Sequence, residues 1–126
     1  MAAVPPTAGA NTYMTIPSAV QIDAILADKM WNLVLRYCGG AWGALPGKWT
    51  VSFEQIAEEA KRRGLESFIS AKPINEGYWL LESDGGYVVF YFERGVRAYA
   101  QSFAQLEPAF RCWLENELQS FQLPVN

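Results

Sequence analysis

The feature that most constrains this chain is the stretch Gly77–Phe103, in which aromatic and β-branched residues are interrupted by two glycine turns. Such residues fit a pleated surface, and Asp84-Gly85 between two apolar runs is typical of a tight β-hairpin. The pattern predicts an antiparallel three-stranded meander with strands at about 77–83, 86–93 and 97–102. Any fold of this chain is therefore organised around a small antiparallel sheet.

A two-residue turn at Asp84-Gly85 fixes the register of the first hairpin and therefore which side chains share a face. One face, the apolar face, is expected to be buried. It consists of Trp79, Leu81, Val88, Phe90, Phe92, Ala98 and Ala100. The opposite face, the tyrosine face, is expected to be available to a partner. It consists of Tyr78, Glu82, Tyr87, Tyr91, Glu93, Arg97, Tyr99 and Gln101, around Leu80 and Val89.

The second turn of the meander allows two registers. A three-residue loop, Arg94-Gly95-Val96, pairs Glu93 with Arg97. A two-residue loop would instead place Arg97 beside Phe92 on the apolar face, where an unpaired buried charge is unfavourable. We therefore predict the three-residue loop.

Helical periodicity predicts two helices before the sheet. The first runs from Ser18 to Tyr37, begins with a capping box formed by Ser18 and Gln21, and ends at Gly39-Gly40. The second runs from a capping box at Ser52–Gln55 to Arg63 and ends at Gly64.

A last helix is predicted from Leu106 to Ser120, where Pro108 is tolerated because it lies in the first turn. Its apolar stripe is wide enough to cover the apolar face of the sheet. The predicted fold class is therefore α+β: two N-terminal helices, a three-stranded antiparallel meander and a C-terminal helix packed on the sheet. The stripe consists of Leu106, Phe110, Trp113, Leu114, Leu118 and Phe121.

We expect one domain, residues 16–121, because a chain of 126 residues can bury one core without cross-links. A flexible arm is expected at 1–15 and a frayed C-terminus at 122–126. The segment 65–76 fits either a helix extension or a short strand, and we expect Phe68 to reach the core. Residues 41–50 are predicted to form a loop.

Composition excludes several functions. The net charge is −3, which disfavours nucleic-acid binding. Histidine is absent, which removes Ser-His-Asp and Cys-His catalysis and most zinc sites, so we expect no metal and no cofactor. No secretory signal or membrane-spanning run is visible, so we expect a cytoplasmic protein that does not bind membranes. Cys38 and Cys112 are expected to be small buried hydrophobes.

The tyrosine face is the strongest indication of function, because tyrosine and tryptophan are enriched in binding hot spots. Trp42 and Trp49 in the glycine-containing loop are further candidates. Two alternatives stay open: one of the N-terminal helices covers the tyrosine face, and the two tryptophans tuck over the edge of the core. The predicted partner-binding residues are Tyr78, Glu82, Tyr87, Tyr91, Glu93, Tyr99, Trp42 and Trp49.

Carboxylate pairs are the remaining candidates for chemistry. Glu82 and Glu93 share the tyrosine face, and paired acids can do acid–base work when their pKa values differ. That chemistry needs a cleft, so we interpret both as solvated edge charges. Glu115 and Glu117 are interpreted as acids on a helix surface. A concave pocket that holds a carboxyl group with a raised pKa would instead point to an enzyme.

The hairpin Trp79–Gly95 and the helix that follows it resemble the immunity proteins of bacterial polymorphic-toxin and contact-dependent inhibition systems. Many of these small cytoplasmic proteins carry a hairpin that ends in an aromatic–x–Glu-Arg-Gly turn, here Tyr91-Phe92-Glu93-Arg94-Gly95. A third strand and a helix similar to Phe103–Leu114 follow. The resemblance covers residues 77–118 and implies a protein that binds a cognate toxin stoichiometrically and blocks it.

The resemblance implies no particular contact residues, and Glu93, Arg94 and Gly95 are interpreted as turn architecture. We therefore predict a non-enzymatic immunity protein that binds and occludes a cognate toxin. We expect it to be a monomer or a homodimer and not to bind nucleic acid. Two alternatives are a phage or regulatory inhibitor of another host protein, and an adaptor or chaperone for a secreted effector.

Overall fold

The structure, a computed structural model, describes residues 14–125. In this range the chain forms five α-helices and one three-stranded antiparallel sheet, so the predicted α+β fold is confirmed. Two 3-10 turns, Trp42–Ala44 and Leu65–Phe68, complete the elements. The predicted arm lies outside the described residues except for its last two positions. The helices and strands are α1 Ser18–Leu26, α2 Met30–Tyr37, α3 Leu45–Lys48, α4 Phe53–Arg63, β1 Gly77–Ser83, β2 Gly86–Glu93, β3 Val96–Phe103 and α5 Leu106–Ser120.

The first hairpin has the predicted register. Asp84 and Gly85 have φ values of 48° and 80°, as the two central residues of a type I′ turn require. Trp79 consequently lies opposite Phe90. The predicted division of β1 and β2 into an apolar face and a tyrosine face is therefore confirmed.

The second hairpin differs from the prediction. Arg94 and Gly95 form another two-residue turn, with φ values of 53° and 76°, and Arg97 lies opposite Phe92. The predicted three-residue loop is wrong because Arg97 is exposed: its guanidinium carbon lies 4.4 Å from the centroid of the Phe90 ring. A cation that covers an aromatic ring while it stays in contact with water avoids the desolvation penalty of a buried charge.

A β-bulge corrects this register further along β3. Tyr99, which has a φ of 57°, and Ala100 both lie opposite Phe90. Beyond these two residues Val89 pairs with Gln101. This is the strand register that a three-residue loop would have produced along the whole hairpin. The extra residue of the bulge thus restores the predicted side-chain pattern in the second half of β3.

Helix α5 packs on the tyrosine face of the sheet and not, as predicted, on the apolar face. Leu80 and Val89 lie between the tyrosines, are each 1% exposed and share the main core with Phe110. The Trp113 indole N–H donates to the backbone carbonyl of Tyr78, 3.1 Å away. The prediction is wrong because this face has an apolar centre of its own, and tyrosine rings bury well when their hydroxyl groups stay near water.

The apolar face carries a second, smaller hydrophobic cluster that, among the described residues, is built from β1 and β2 alone. At its edge the Trp79 indole N–H donates to the carbonyl oxygen of Asn75, 2.8 Å away. The sheet therefore separates two clusters, and the larger one lies on the α5 side. The smaller cluster consists of Leu81, Val88, Phe90, Trp79 and Phe92.

The predicted first helix is two helices, because the chain leaves the helical conformation at Asp28, whose φ is 56°. The predicted capping box at Ser18 is also absent. Gln21 is fully buried instead, and its amide bonds to the segment that precedes α4. Gly40, with a φ of 80°, closes α2 as predicted.

Helix α4 begins and ends where the sequence predicts. The Ser52 hydroxyl accepts from the backbone N–H of Gln55 at 3.1 Å, and the Gln55 side chain accepts from the backbone N–H of Ser52 at 2.7 Å. Gly64, with a φ of 96°, ends the helix. Phe68 then reaches the core, as predicted, where its ring lies 5.3 Å from that of Phe110.

The chain stays packed beyond α5, where fraying is predicted. Leu123 is 4% exposed and belongs to the main core, and Val125 packs against that core. The backbone N–H of Leu123 donates to the carbonyl of Leu118 at 2.9 Å. This turn of the chain fixes Phe121 beside the 3-10 turn that carries Trp42.

Candidate partner-binding site

The tyrosine face is not an open docking surface, because α5 lies across its centre. Tyr87 packs against the main core. Tyr78 and Tyr91 are half-buried, and their ring centroids are 5.1 Å apart. The prediction that this face is free for a partner is wrong, and the covering helix is the C-terminal one.

The other predicted contacts on the sheet are exposed but dispersed. Glu82 lies near one end of the first hairpin and Glu93 at the other, about 20 Å apart at the usual rise per strand residue. Glu93 lies opposite Val96, so the predicted pairing with Arg97 does not form. Tyr99 is 80% exposed on the bulge of β3. The two carboxylates are therefore too far apart to act on one substrate atom.

The two predicted loop tryptophans have opposite environments. Trp49 is 7% exposed and belongs to the main core, so its predicted role in binding is wrong. Trp42 is 44% exposed and opens a 3-10 turn. Of these two side chains, Trp42 alone is accessible to another molecule.

Trp42 is the central ring of a stack that we call the aromatic ridge, which consists of Trp31, Trp42 and Phe121. The Trp31 and Trp42 centroids are 5.6 Å apart with an interplanar angle of 27°, and those of Trp42 and Phe121 are 5.5 Å apart at 16°. Trp31 is 48% exposed, so two indole rings face solvent. Such ring pairs contribute about 0.5–1.5 kcal/mol each, and the ridge is therefore held in place before a partner arrives.

Three separate segments build the ridge. Trp31 is the second residue of α2, Trp42 follows the glycine turn, and Phe121 directly follows α5. A Cβ placed on Gly40 would lie 3.8 Å from Leu35 and 4.0 Å from Trp31, so both side chains close over the backbone of the turn. Leu35 is 44% exposed and extends the ridge into a larger apolar patch.

A cavity of about 310 Å³ lies on the other side of Phe121, and we call it the Glu117 cavity. Asp28 reaches it from the break between α1 and α2, Tyr78 from β1, and Trp113 and Glu117 from α5. Ligand pockets usually measure about 300–1,000 Å³, so a space of this size fits one side chain or a small molecule.

The carboxyl group of Glu117 has an unusual environment. Burial, and secondarily repulsion from the Asp28 carboxylate, raise its pKa to about 7. Within residues 14–125 this carboxyl group forms no hydrogen bond and no ion pair. It is therefore about half ionised at neutral pH.

The interpretation of Glu117 as a surface acid is wrong. Its position in the sequence already indicated a less exposed environment. Glu117 lies four residues after Trp113 and four before Phe121, which places a carboxylate within an apolar stripe. Trp31, which sequence reasoning also missed, lies outside the apolar stripe of its helix. Glu117 and Trp31 both depart from the polar and apolar pattern of their helices. The sequence pattern does not show which distant segments these two side chains contact.

A wider groove of about 760 Å³ is lined by residues of α4, β3 and α5. The Arg111 guanidinium donates to both carboxylate oxygens of Glu54 across it. Burial raises the pKa of the Cys112 thiol, which donates to the Gln101 side-chain oxygen at 3.0 Å. A protonated thiol is a poor nucleophile, and the Arg111 and Glu54 side chains of this groove are paired with each other.

No protein-family model, curated protein or solved structure matches this chain at a significant level. No helix within residues 14–125 is long and apolar enough to cross a lipid bilayer. The same range contains no group of three Cys, Asp or Glu side chains that could hold a metal ion. Among the described residues, the aromatic ridge presents exposed aromatic rings, and the adjoining Glu117 cavity holds a carboxyl group with a raised pKa.

Proposed function

We propose that this protein is a non-enzymatic immunity protein that binds a bacterial toxin through the aromatic ridge and blocks it by occlusion. The stack of rings around the half-exposed Trp31 and Trp42 carries the proposal. Exposed aromatic rings that cluster on one surface are typical of binding hot spots. The resemblance of residues 77–118 to immunity proteins supports a toxin as the partner, and a toxin that acts inside the cell places the inhibitor in the cytoplasm.

The charge of the chain supports a basic surface on the partner. The net charge is −3, and Asp28, Glu76 and Glu117 line the cavity beside the ridge. An acidic and aromatic surface is complementary to a basic substrate groove, and opposite charges speed association. Occlusion of such a groove would silence the toxin without any reaction.

Co-expression with any toxic domain that the neighbouring reading frame encodes tests the proposal. We expect the wild-type protein to restore growth of cells that express the toxin. We also expect it to form a one-to-one complex with the toxin in size-exclusion chromatography. The double variant Trp31→Ala/Trp42→Ala should lose protection while it stays folded, because both side chains are about half exposed. Tyr99→Ala is the matched control, since it removes a still more exposed aromatic side chain from β3.

Two results would reject parts of the proposal. Protection that survives the loss of Trp31 and Trp42 but not the loss of Tyr99 would place the contact on the sheet. A wild-type protein that neither binds nor protects would reject the immunity function. Binding to a different host protein, or to an effector only together with its export machinery, would then favour the regulatory inhibitor or the adaptor.

Acid–base catalysis is the second candidate, because the Glu117 carboxyl group, with its pKa raised to about 7, lies in a cavity. Stoichiometry separates the two functions. An occluding inhibitor silences one equivalent of toxin, whereas an enzyme that modifies the toxin silences an excess of it. In the second case Glu117→Gln would abolish the turnover, and the occlusion mechanism would be rejected.

A further inference from the structure

The Glu117 cavity combines three features of sites that bind organic cations. It holds a carboxylate that has no partner within residues 14–125, five of its described lining residues are aromatic, and none of them is lysine or arginine. Carboxylates attract a cation directly, and aromatic rings attract it through the negative charge of their faces. The coincidence of these features in one cavity indicates a class of ligand.

The first step is that the Glu117 carboxylate has no partner within residues 14–125. Glu117 is half-buried, and carboxylates that are withdrawn from water are normally paired with a cation or with hydrogen-bond donors. The ion pairs within residues 14–125 use other acids, namely Asp23, Glu54, Glu59 and Glu107. Asp28 faces Glu117 with a like charge. A cation in the cavity would relieve this repulsion and replace the lost hydration.

The rigidity of the aromatic walls is the second step. The hydrogen bond from the Trp113 indole to the Tyr78 carbonyl, 3.1 Å long, fixes the orientation of the larger ring. Phe121 is held by its stacking on Trp42. Walls that are fixed before binding lose little conformational entropy when a ligand enters. Trp113 and Phe121 are thus held in place before a ligand enters.

We propose that the Glu117 cavity receives one arginine side chain of the partner protein, whose guanidinium group bonds to the Glu117 carboxylate and lies against the aromatic walls. The inference rests on the proposed function, because the ridge and the cavity share Phe121. A guanidinium group suits the site better than an ammonium group, since it is planar, weakly hydrated and able to bond a carboxylate through two N–H groups. Ca²⁺ or Mg²⁺ would instead require six or more oxygen ligands.

The direct probe is N-acetyl-arginine methylamide, with the matching citrulline compound as its neutral isostere. We expect the arginine probe to shift the amide resonances around Tyr78, Trp113 and Phe121, with a dissociation constant on the order of 1 mM. The citrulline probe should leave them unchanged. Glu117→Gln should weaken binding of the arginine probe about tenfold or more. Glu115→Gln, an exposed position on the same helix, should bind it like the wild type.

A second variant covers the case in which Glu117→Gln disturbs the fold. Asp28→Asn alters an exposed residue with a φ of 56°, a conformation that asparagine also tolerates, and should weaken the arginine probe about threefold. Binding by the wild type should also strengthen between about pH 6 and pH 8, as Glu117 loses its proton. The other titratable groups that line the cavity are Asp28, Glu76 and Tyr78. The same titration on Glu117→Gln separates their effect from that of Glu117.

Equal affinity for the arginine and citrulline probes, equal affinity in Glu117→Gln and wild type, or the absence of any saturable shift would overturn the inference. The probe titration requires no toxin, so its result is independent of whether the proposed function is correct. A cavity that binds the probe while Glu117→Gln leaves toxin affinity unchanged would overturn the assignment to the partner and leave the ridge proposal intact.

Discussion

Gln21 shows at the scale of one residue how a buried polar side chain joins distant segments. Its amide nitrogen donates to the Ile16 carbonyl and to the Thr50 hydroxyl, both at 2.8 Å. Its oxygen accepts from the backbone N–H groups of Thr50 and Val51 at 2.8 and 3.2 Å. One fully buried side chain thus satisfies four groups and connects the start of α1 with the segment before α4.

We expect Gln21→Ala to lower the free energy of unfolding by about 2–4 kcal/mol, because it leaves buried donors and acceptors without partners. Urea denaturation followed by tryptophan fluorescence measures this change. Gln119→Ala, an exposed position on α5, is the control and should change the free energy by less than about 0.5 kcal/mol. Similar losses in both variants would show that the network of Gln21 contributes no stability of its own.

Glu117 makes the stability of the fold depend on pH. Its pKa is about 7 in the folded protein against a reference value of 4.5, so the folded state holds this proton more tightly than the unfolded state. The free energy of unfolding should therefore fall as pH rises between these two pKa values, by about 3 kcal/mol in total. Glu117→Gln should remove this dependence, because its amide does not ionise.

Denaturation midpoints measured at intervals from about pH 4 to pH 8 test the effect of Glu117. Asp28, Glu76 and Tyr78 line the same cavity, and the comparison of Glu117→Gln with wild type removes their common contribution. Glu115→Gln should follow the wild-type curve. Curves for Glu117→Gln and wild type that stay parallel across this range would contradict the assignment.

At the scale of elements, Gly86 fixes how closely β2 approaches the end of β3. A Cβ on Gly86 would lie 2.5 Å from the backbone carbonyl oxygen of Phe103, which cannot move without breaking the sheet. We expect Gly86→Ala to destabilise the protein by about 1–3 kcal/mol. Gly43→Ala is the matched control, because a Cβ there has no neighbour within 4 Å and its φ is not positive. Equal melting temperatures for the two variants would refute the steric contact.

Local chemistry made the first hairpin, helix α4 and the α+β fold class predictable. A two-residue turn fixes which residues pair along both strands of the hairpin. The Ser52–Gln55 capping box needs only residues within one helical turn. The second hairpin was not predictable in the same way, because its register depends on whether Arg97 is covered. Whether Arg97 is covered depends on which face of the sheet α5 packs against. That packing is a contact between segments that are distant in sequence.

The candidate site was predictable only in part, for the same reason. Trp42 and Tyr78 were identified from the sequence, and the structure places one in the aromatic ridge and the other in the wall of the Glu117 cavity. Trp31 and Phe121 are 90 positions apart along the chain. No local rule brings them to the same surface, so the ridge as a unit appears only in the folded molecule.

At the scale of the whole molecule, net charge and aromatic surface should act on different rates of binding to the proposed toxin. The charge of −3 attracts a basic partner over long distances, so raising NaCl from about 0.05 to 0.5 M should slow association about tenfold and change dissociation little. Trp42→Ala removes short-range contact only, so it should leave association unchanged and speed dissociation about tenfold. Surface plasmon resonance measures both rates, with Tyr99→Ala as the control that alters neither. An association rate that does not change with salt would contradict the electrostatic contribution. A slower association of Trp42→Ala would show that the ridge must rearrange before it binds.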